Sequence, residues 1–402
     1  DFTYHTKEND YDLSTLSSLV ECDASNNCLP EVKFDWLILD EAITQDPHFV
    51  SKKSAASSFS DVNGWGDVIT YSTIKYVDVT GDGFVDICGK FTAGIYCSIN
   101  QKDGTFAAYT QWTSSFGTWI EAHKYRTITF VDVTGDGLAD VCGKLSGGIS
   151  CAENSGENSF INYKPWTSEF NKDDNWDDEH KYSTLTFVDV TGDGLADVCG
   201  KGSTGIWCAE NSMVLDEREF TNYRKWTPEF NKDGSWDEKH KYSTLTFVDV
   251  TGDGLADVCG KGSTGIWCAE NSMVLEEREF TNYQRWTEEF NTDRNWDREH
   301  KYTTLRFIDV TGDGLADVCG KASSGIKCAV NSGNQTFEDY KIWFSVFNTD
   351  GNWDDAHKYS SVTFIDVTGD GLVDVCGKPN TGIKCAINTG GEKFEESTYS
   401  EW

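Results

Sequence analysis

The block Val-Asp-Val-Thr-Gly-Asp-Gly recurs six times along the chain, its first aspartate at positions 78, 132, 189, 249, 309 and 366, with Ile-Asp-Val in the last two copies. The intervals are 54, 57, 60, 60 and 57 residues. A period this long, filled with strand signals, restricts the chain to a propeller or an array of similar units. In the third copy, Tyr182 to Val190 alternates β-branched and aromatic residues with polar ones. A glycine-rich loop follows, then Leu195 to Cys199, a turn, and Gly205 to Ala209. A fourth strand signal comes at Phe220, Tyr223 and Trp226, ahead of a polar stretch carrying Phe230, Trp236 and His240. Four short antiparallel strands per unit, without helical periodicity, describe one propeller blade.

The expected fold class is therefore all-β: a β-propeller of six clear four-stranded blades over residues 59–402. Residues 1–58 lack the acidic loop but hold Cys22, Cys28 and Trp36 in the order of the repeat's Cys, Cys and Trp. They are expected to form a degenerate seventh blade, with six blades and an added arm as the alternative. The last copy stops at Trp402 and the first starts mid-unit at Phe59 and Trp65. A ring whose two ends complete one shared blade would show that offset.

Twelve of the 14 cysteines form pairs nine positions apart: Cys88/Cys97, Cys142/Cys151, Cys199/Cys208, Cys259/Cys268, Cys319/Cys328 and Cys376/Cys385, with Cys22/Cys28 remaining. Zinc sites favour two to four intervening residues, so disulfides fit better than thiolate metal sites. Gly200-Lys201 and Gly205-Ile206 mark a hairpin between the third pair. That places its sulfurs opposite each other on neighbouring strands, at an expected Cα separation of roughly 5 Å. Disulfides in this number imply a secreted or cell-surface protein. The sequence opens at Asp1 without a charged, apolar leader, as expected of a processed chain or a mature fragment.

Each acidic loop places aspartates at relative positions 1, 5 and 9, with threonine at 3 and glycines at 4 and 6. The expected metal ligands are Asp78, Thr80, Asp82 and Asp86; Asp132, Thr134, Asp136 and Asp140; Asp189, Thr191, Asp193 and Asp197; Asp249, Thr251, Asp253 and Asp257; Asp309, Thr311, Asp313 and Asp317; and Asp366, Thr368, Asp370 and Asp374. Oxygen ligands on a short glycine-bearing loop suit calcium, about one ion per loop, better than magnesium, which demands a stricter octahedron. Asp-Gly also makes plain polar turns, but turn preference does not call for three spaced aspartates in every copy.

Net charge excludes one class of partner. With 67 acidic against 34 basic residues and no basic cluster, a phosphate backbone would be repelled. Mean hydropathy is -0.50, and no apolar run approaches the roughly 18 residues of a spanning helix. No nucleophile elbow, HExxH or lone activated cysteine is present, so no enzyme activity is expected, although a spatial carboxylate pair is invisible in sequence.

The Asp-x-Thr-Gly-Asp-Gly-x-x-Asp loops resemble the FG-GAP and VCBS calcium loops of integrin-type propellers. More of the unit is similar to the family of the Psathyrella velutina lectin, fungal seven-bladed propellers. Phe170, Trp176, His180, Lys181, the Asp189 loop, Gly205, Ile206, Trp207 and Asn211 fall in the family's order. Two features depart: Cys-Gly-Lys replaces the family's Gly-Phe-Gly, and His-Lys replaces Lys-His. The resemblance implies multivalent glycan or glycoprotein binding in clefts between neighbouring blades. By motif position the sugar contacts are Trp176, His180 and Trp207; Trp236, His240 and Trp267; and Trp296 with His300. Trp119 with His123, and Trp353 with His357, are weaker candidates because Ser150 or Lys384 stands where Trp207 does. Aromatic faces stack on pyranose rings and polar groups bond the hydroxyls; the bland alternative is that these rings are core.

Copies three and four differ at only nine of sixty aligned positions, over 181–240 and 241–300. Near-identical units favour repeated recognition over one asymmetric catalytic centre. The rival reading is a structural subunit of an extracellular fibre, wall or adhesive coat. It rests on the apolar inserts Met213-Val214-Leu215 and Met273-Val274-Leu275 and on the N-terminal run from Phe34 to Ile43, as self-assembly surfaces. Asn334-Gln-Thr336 is a glycosylation sequon.

Overall fold

The computed structural model describes residues 2–5, 15–19, 32, 33 and 59–401, apart from 104, 215, 216, 275, 276, 381, 382 and 392. Every copy of the acidic repeat becomes one four-stranded antiparallel sheet, and the six sheets follow one another round a six-bladed β-propeller. In the third blade the strands are Thr186–Val188, Asp197–Gly202, Gly205–Val214 and Glu217–Thr227, paired in chain order. The fourth blade repeats this with Thr246–Val248, Asp257–Lys261, Ile266–Val274 and Glu277–Thr287.

The cysteines pair as the hairpin reading requires. In the second and third strands of each blade, Cys88 lies directly opposite Cys97, Cys142 opposite Cys151, Cys199 opposite Cys208, Cys259 opposite Cys268, Cys319 opposite Cys328 and Cys376 opposite Cys385. Each of these six pairs is a disulfide. One detail is corrected: the Cα atoms of Cys97, Cys151, Cys208, Cys268, Cys328 and Cys385 stand only 4.0 to 4.1 Å from those of their partners, closer than the expected spacing. Directly opposed residues approach most closely where their main chains do not bond each other, and the sulfur bridge spans such a narrow gap. Cys22, Cys28, Trp36 and the run from Phe34 to Ile43 lie outside the described residues. The chain divides into two compact units, Asp1–His48 and Phe49–Trp402. In the first, where a seventh blade was expected, Phe2–His5, Thr15–Leu19 and Val32–Lys33 form a three-stranded antiparallel sheet.

Two further local expectations change. The first strand, expected over Tyr182 to Val190, is only Thr186–Val188, and Glu179–Tyr182 is a single helical turn. Thr184 Oγ1 accepts the main-chain N–H of Lys201 at 2.9 Å, so a side chain takes the bond that strand pairing would need and the ladder ends at Thr186. Four residues are too few for helical periodicity to show in sequence. The Met-Val-Leu inserts, in turn, are not loops: Met213 and Val214 pair with Arg218 and Glu217 and lengthen the hairpin. Met213 is 60% exposed; Leu215 and Leu275 are outside the described residues.

Successive blades are joined by the same three contacts. Asn211 Nδ2 donates to Val133 O of the preceding blade at 2.8 Å, as Asn154, Asn271, Asn331 and Asn388 do to Val79, Val190, Val250 and Val310. Trp166 of one blade packs on Phe220 of the next at 5.2 Å between rings, and Trp226 on Phe280 at 5.3 Å. Leu255 seats against Gly192, so the acidic loops stand side by side. On the first blade the corresponding surface is more open: Tyr76, Phe84 and Val85 are exposed, and Asn100 Nδ2 bonds Val85 O within its own blade.

Candidate functional site

Each unit carries a connector that brings a tryptophan across the sheet. A Cβ on Gly200 would stand 2.9 Å from Trp176, and the same holds for Gly260 with Trp236 and Gly320 with Trp296. The glycine of Cys-Gly-Lys is thus the floor on which the connector indole lies. Trp176, Trp236 and Trp296 are 2%, 3% and 1% exposed and belong to the core. Only their edges reach the surface: Trp176 Nε1 donates to Tyr223 Oη at 3.2 Å, and Trp296 Nε1 to Tyr340 Oη at 3.2 Å.

Beside that edge lies the candidate site. In the third blade Trp207 stacks on Tyr223, with centroids 5.0 Å apart and planes 27° off parallel; in the fourth, Trp267 stacks on Tyr283 at 5.0 Å and 25°. Strand register explains the pair, since Trp207 on the third strand faces Lys225 of the fourth, two residues past Tyr223 and on the same face. The third-blade pocket, about 250 Å³, is walled by Trp207, Tyr223, Asp173, Asp174, Ser203 and Thr204. Its fourth-blade equivalent, about 380 Å³, has Trp267, Tyr283, Asp233, Ser263 and Thr264, with Gly234 where the third has Asp174. Both connectors also touch the preceding blade's hairpin, Lys172 N donating to Ser146 O at 2.9 Å and Lys232 N to Ser203 O at 3.0 Å. Burial pushes Tyr283 up to about 12 and Tyr223 above the usual phenol range, so both stay neutral phenols.

The histidines are placed elsewhere. None lines either pocket. His180 Nε2 is 3.7 Å from Asp237 Oδ2, His123 Nε2 is 3.4 Å from Asp177 Oδ2, and His300 Nε2 is 3.6 Å from Asp354 Oδ1. Those aspartates also pair with the fully buried Lys201, Lys144 and Lys321. Burial holds each of these histidines below its ordinary value, against the neighbouring carboxylate. They face the next connector at the junctions between units. His240 lies 3.5 Å from Glu238, and His357 Nε2 is 3.1 Å from Asn380 Oδ1. Tyr223 and Tyr283, missed as site residues in the sequence, stand two residues from positions on the sheet face that Trp207 and Trp267 already marked. In the fifth blade Lys327 replaces the half-buried indole and lies 4.5 Å over Tyr340.

In the acidic loops Asp189 accepts N–H bonds from Gly192 at 2.6 Å and Gly194 at 2.8 Å, and Asp193 one from Leu195 at 2.9 Å. Asp197 is wholly buried and takes the N–H groups of Val190, Thr191 and Asn211. Burial pushes Asp140, Asp197, Asp257 and Asp317 up to about 6 in spite of these bonds. The donors are hard oxygens of the type calcium takes. Among the described residues, however, no three acidic, histidine or cysteine side chains converge on a metal-sized site. Each loop is closed by its own main-chain N–H groups.

Residues 78–143 match the family model described as FG-GAP-like repeat. No curated protein matches the chain. Among solved structures, the chain is similar to an Agrocybe aegerita lectin, described with the basis of its specific recognition of non-reducing terminal N-acetylglucosamine. The TM-score is 0.73 at 26% identity, covering 85% of this chain and 82% of that one. A TcdB2-TccC3 structure also matches, at TM-score 0.38 and 14% identity, but this chain covers 17% of it. No helix among the described residues is long and apolar enough to cross a membrane. In its repeat the chain is thus similar to FG-GAP-like repeats, and over most of its length to a β-propeller lectin.

Proposed function

We propose that this protein is a multivalent lectin that binds carbohydrate in the Trp207/Tyr223 and Trp267/Tyr283 pockets, without catalytic turnover. The observation that carries this reading is the same half-buried indole, stacked on a tyrosine and ringed by carboxylates and hydroxyls, at equivalent places in two blades. The indole face offers an apolar platform for a pyranose ring, while Asp173, Ser203 and Thr204 offer acceptors and donors for its hydroxyls. The likeness to a lectin that recognises terminal N-acetylglucosamine supports that sugar as the first probe. Six disulfides suit an oxidising, extracellular setting. Calcium is part of the proposal: Asp189, Thr191 and Asp193, with their equivalents, would hold it, and it would offset the charge gathered in the loops. Asn334, exposed on its turn, is accessible for glycosylation.

The test is isothermal titration of N-acetylglucosamine into the wild-type protein and the Trp207→Ala, Trp267→Ala double variant, with and without a calcium chelator. Losing both platforms is expected to weaken binding by about tenfold or more in a protein that stays folded, with some loss of melting temperature from the two broken Trp–Tyr stacks. Chelation is expected to lower the melting temperature. A folded double variant that binds as the wild type does would refute the assignment of the pockets.

A further inference from the structure

The second to fifth blades each bring the same three groups to the junction with the next unit. A buried lysine comes from the second strand, a histidine from the single helical turn ahead of the blade, and an aspartate from the connector that follows. At three of these junctions the aspartate sits between the other two. Asp177 pairs with Lys144 through Oδ1 and faces His123 through Oδ2, Asp237 does the same for Lys201 and His180, and Asp354 Oδ1 faces both Lys321 and His300. These aspartates are 24 to 32% exposed, so the seat each carboxylate occupies is open to solvent.

The fourth blade departs from this pattern. Asp297, the corresponding aspartate, is exposed and pairs with neither Lys261 nor His240. Lys261 has not turned to another carboxylate: its Nζ donates to Gly262 O at 3.1 Å, the same main-chain bond that Lys144 makes to Leu145 O and Lys201 to Gly202 O. An ammonium has three N–H groups, so two are left over on a fully buried side chain. His240 Nε2 is also buried and has no hydrogen-bond partner. Glu238 Oε2 stands 3.5 Å from it and 3.5 Å from Lys241 Nζ, and makes no ion pair with Lys261 among the described residues. The hydroxyl that steadies the aspartate of the fifth blade is diverted here as well. Thr349 Oγ1 donates to Asp354 Oδ2 at 3.1 Å, whereas its counterpart Thr292 donates to Ser263 O at 3.1 Å.

We infer that Lys261 and His240 form a binding site for a small monovalent carboxylate, of formate or acetate size, entering from solvent. The three sister junctions set the chemistry, since each holds a carboxylate on the same two side-chain types, and two of them give one oxygen to each donor. A spherical halide cannot divide itself in that way. A cation is repelled by Lys261, and a water molecule accepts the N–H groups but leaves the buried ammonium uncompensated. Burial brings Lys261 down to about 8, so it still carries its proton at pH 7, and burial keeps His240 a neutral ring with one N–H to offer. Neither residue lines the Trp267 pocket, and neither belongs to an acidic loop, so the site stands apart from the proposed sugar and calcium sites. The net charge of -33 repels anions in general, which makes binding that depends on Lys261 distinguishable from bulk attraction.

Saturation-transfer NMR of acetate and formate, at pH 7 and fixed ionic strength, tests the site in the wild type, Lys261→Met and Asp297→Ala, with chloride as competitor. A Kd on the order of 1–10 mM is expected for so small a ligand. Lys261→Met, which keeps the buried stem without its charge, is expected to weaken binding by about tenfold or more. Asp297→Ala is expected to bind at least as tightly as the wild type, and chloride to compete poorly. No carboxylate binding to the wild type, binding unchanged in Lys261→Met, or chloride competing as well as formate would each overturn the site. Binding that appears only in Asp297→Ala overturns it too, because the chain's own aspartate then fills the seat in solution. Should Lys261→Met fail to fold, His240→Phe removes the other donor and carries the same expected loss.

Discussion

Lys261 shows how much one side chain can differ in a nearly repeated setting. Its counterparts Lys144, Lys201 and Lys321 are equally buried but pair with Asp177, Asp237 and Asp354, whereas Lys261 Nζ donates to Gly262 O at 3.1 Å. Burial brings its pKa down to about 8 from 10.5. Between those values the unfolded chain holds a proton that the folded protein does not, so Lys261 makes stability rise with pH across that window. Below pH 8 the folded state carries the buried charge at a cost. Lys261→Met is therefore expected to stabilise the protein by ~1–2 kcal/mol at pH 7 and to flatten the rise up to pH 10. Lys201→Met, which strips Asp237 of its cation, should destabilise by ~1–2 kcal/mol. Urea melts of both variants at pH 7 and 10 decide it; equal effects would show that the missing ion pair does not matter. None of this is legible in the chain, because Lys201 and Lys261 sit in identical stretches and differ only in what the next connector brings.

At the scale of elements, short-range spacing carried most of the information. Cysteines nine apart and a Gly-Lys hairpin act within about ten residues, so sequence alone places them, whereas the second strand opens at Asp197 and runs to Gly202 instead of spanning Leu195 to Cys199. What spacing could not give was the direction of side chains contributed by connectors. Trp176, a sugar contact by motif position, lies flat on Gly200 and gives the pocket only its edge, while His180, the other expected contact, faces Asp237 of the next connector and lines no pocket. Gly192 tests the contact between loops. It has φ +78°, and a Cβ there would come within 2.7 Å of Leu255 Cδ2 in the next blade; Gly194, at φ +84°, has nothing within 4 Å. Gly194→Ala should cost only the left-handed backbone, ~1–2 kcal/mol. Gly192→Ala should cost a further ~1–3 kcal/mol of overpacking. Matching melting curves for the two would mean that Leu255 yields freely and that the loops do not brace one another.

For the whole molecule, repetition matters more than any single pocket. The two aromatic pockets sit on blades that are near copies, held at a fixed spacing by the Asn271–Val190 bond and the Trp226–Phe280 contact, while a disulfide staples the hairpin within each blade. If both pockets bind sugar as proposed, a rigid separation pre-organises the second binding event once the first has occurred, so on a surface dense in sugar the two engagements would multiply rather than add. A free monosaccharide, by contrast, reports each pocket alone. Trp207→Ala is accordingly expected to leave titration of free sugar into the Trp267 pocket unchanged, while retention on a sugar-coated surface falls by roughly 10²-fold or more. Surface plasmon resonance on dense and sparse glycan coatings measures both regimes. The loss should shrink on the sparse coating, where one molecule cannot bridge two sugars. If the variant loses no more on the dense surface than in solution, the pockets act independently and the duplication of the blade does not serve avidity.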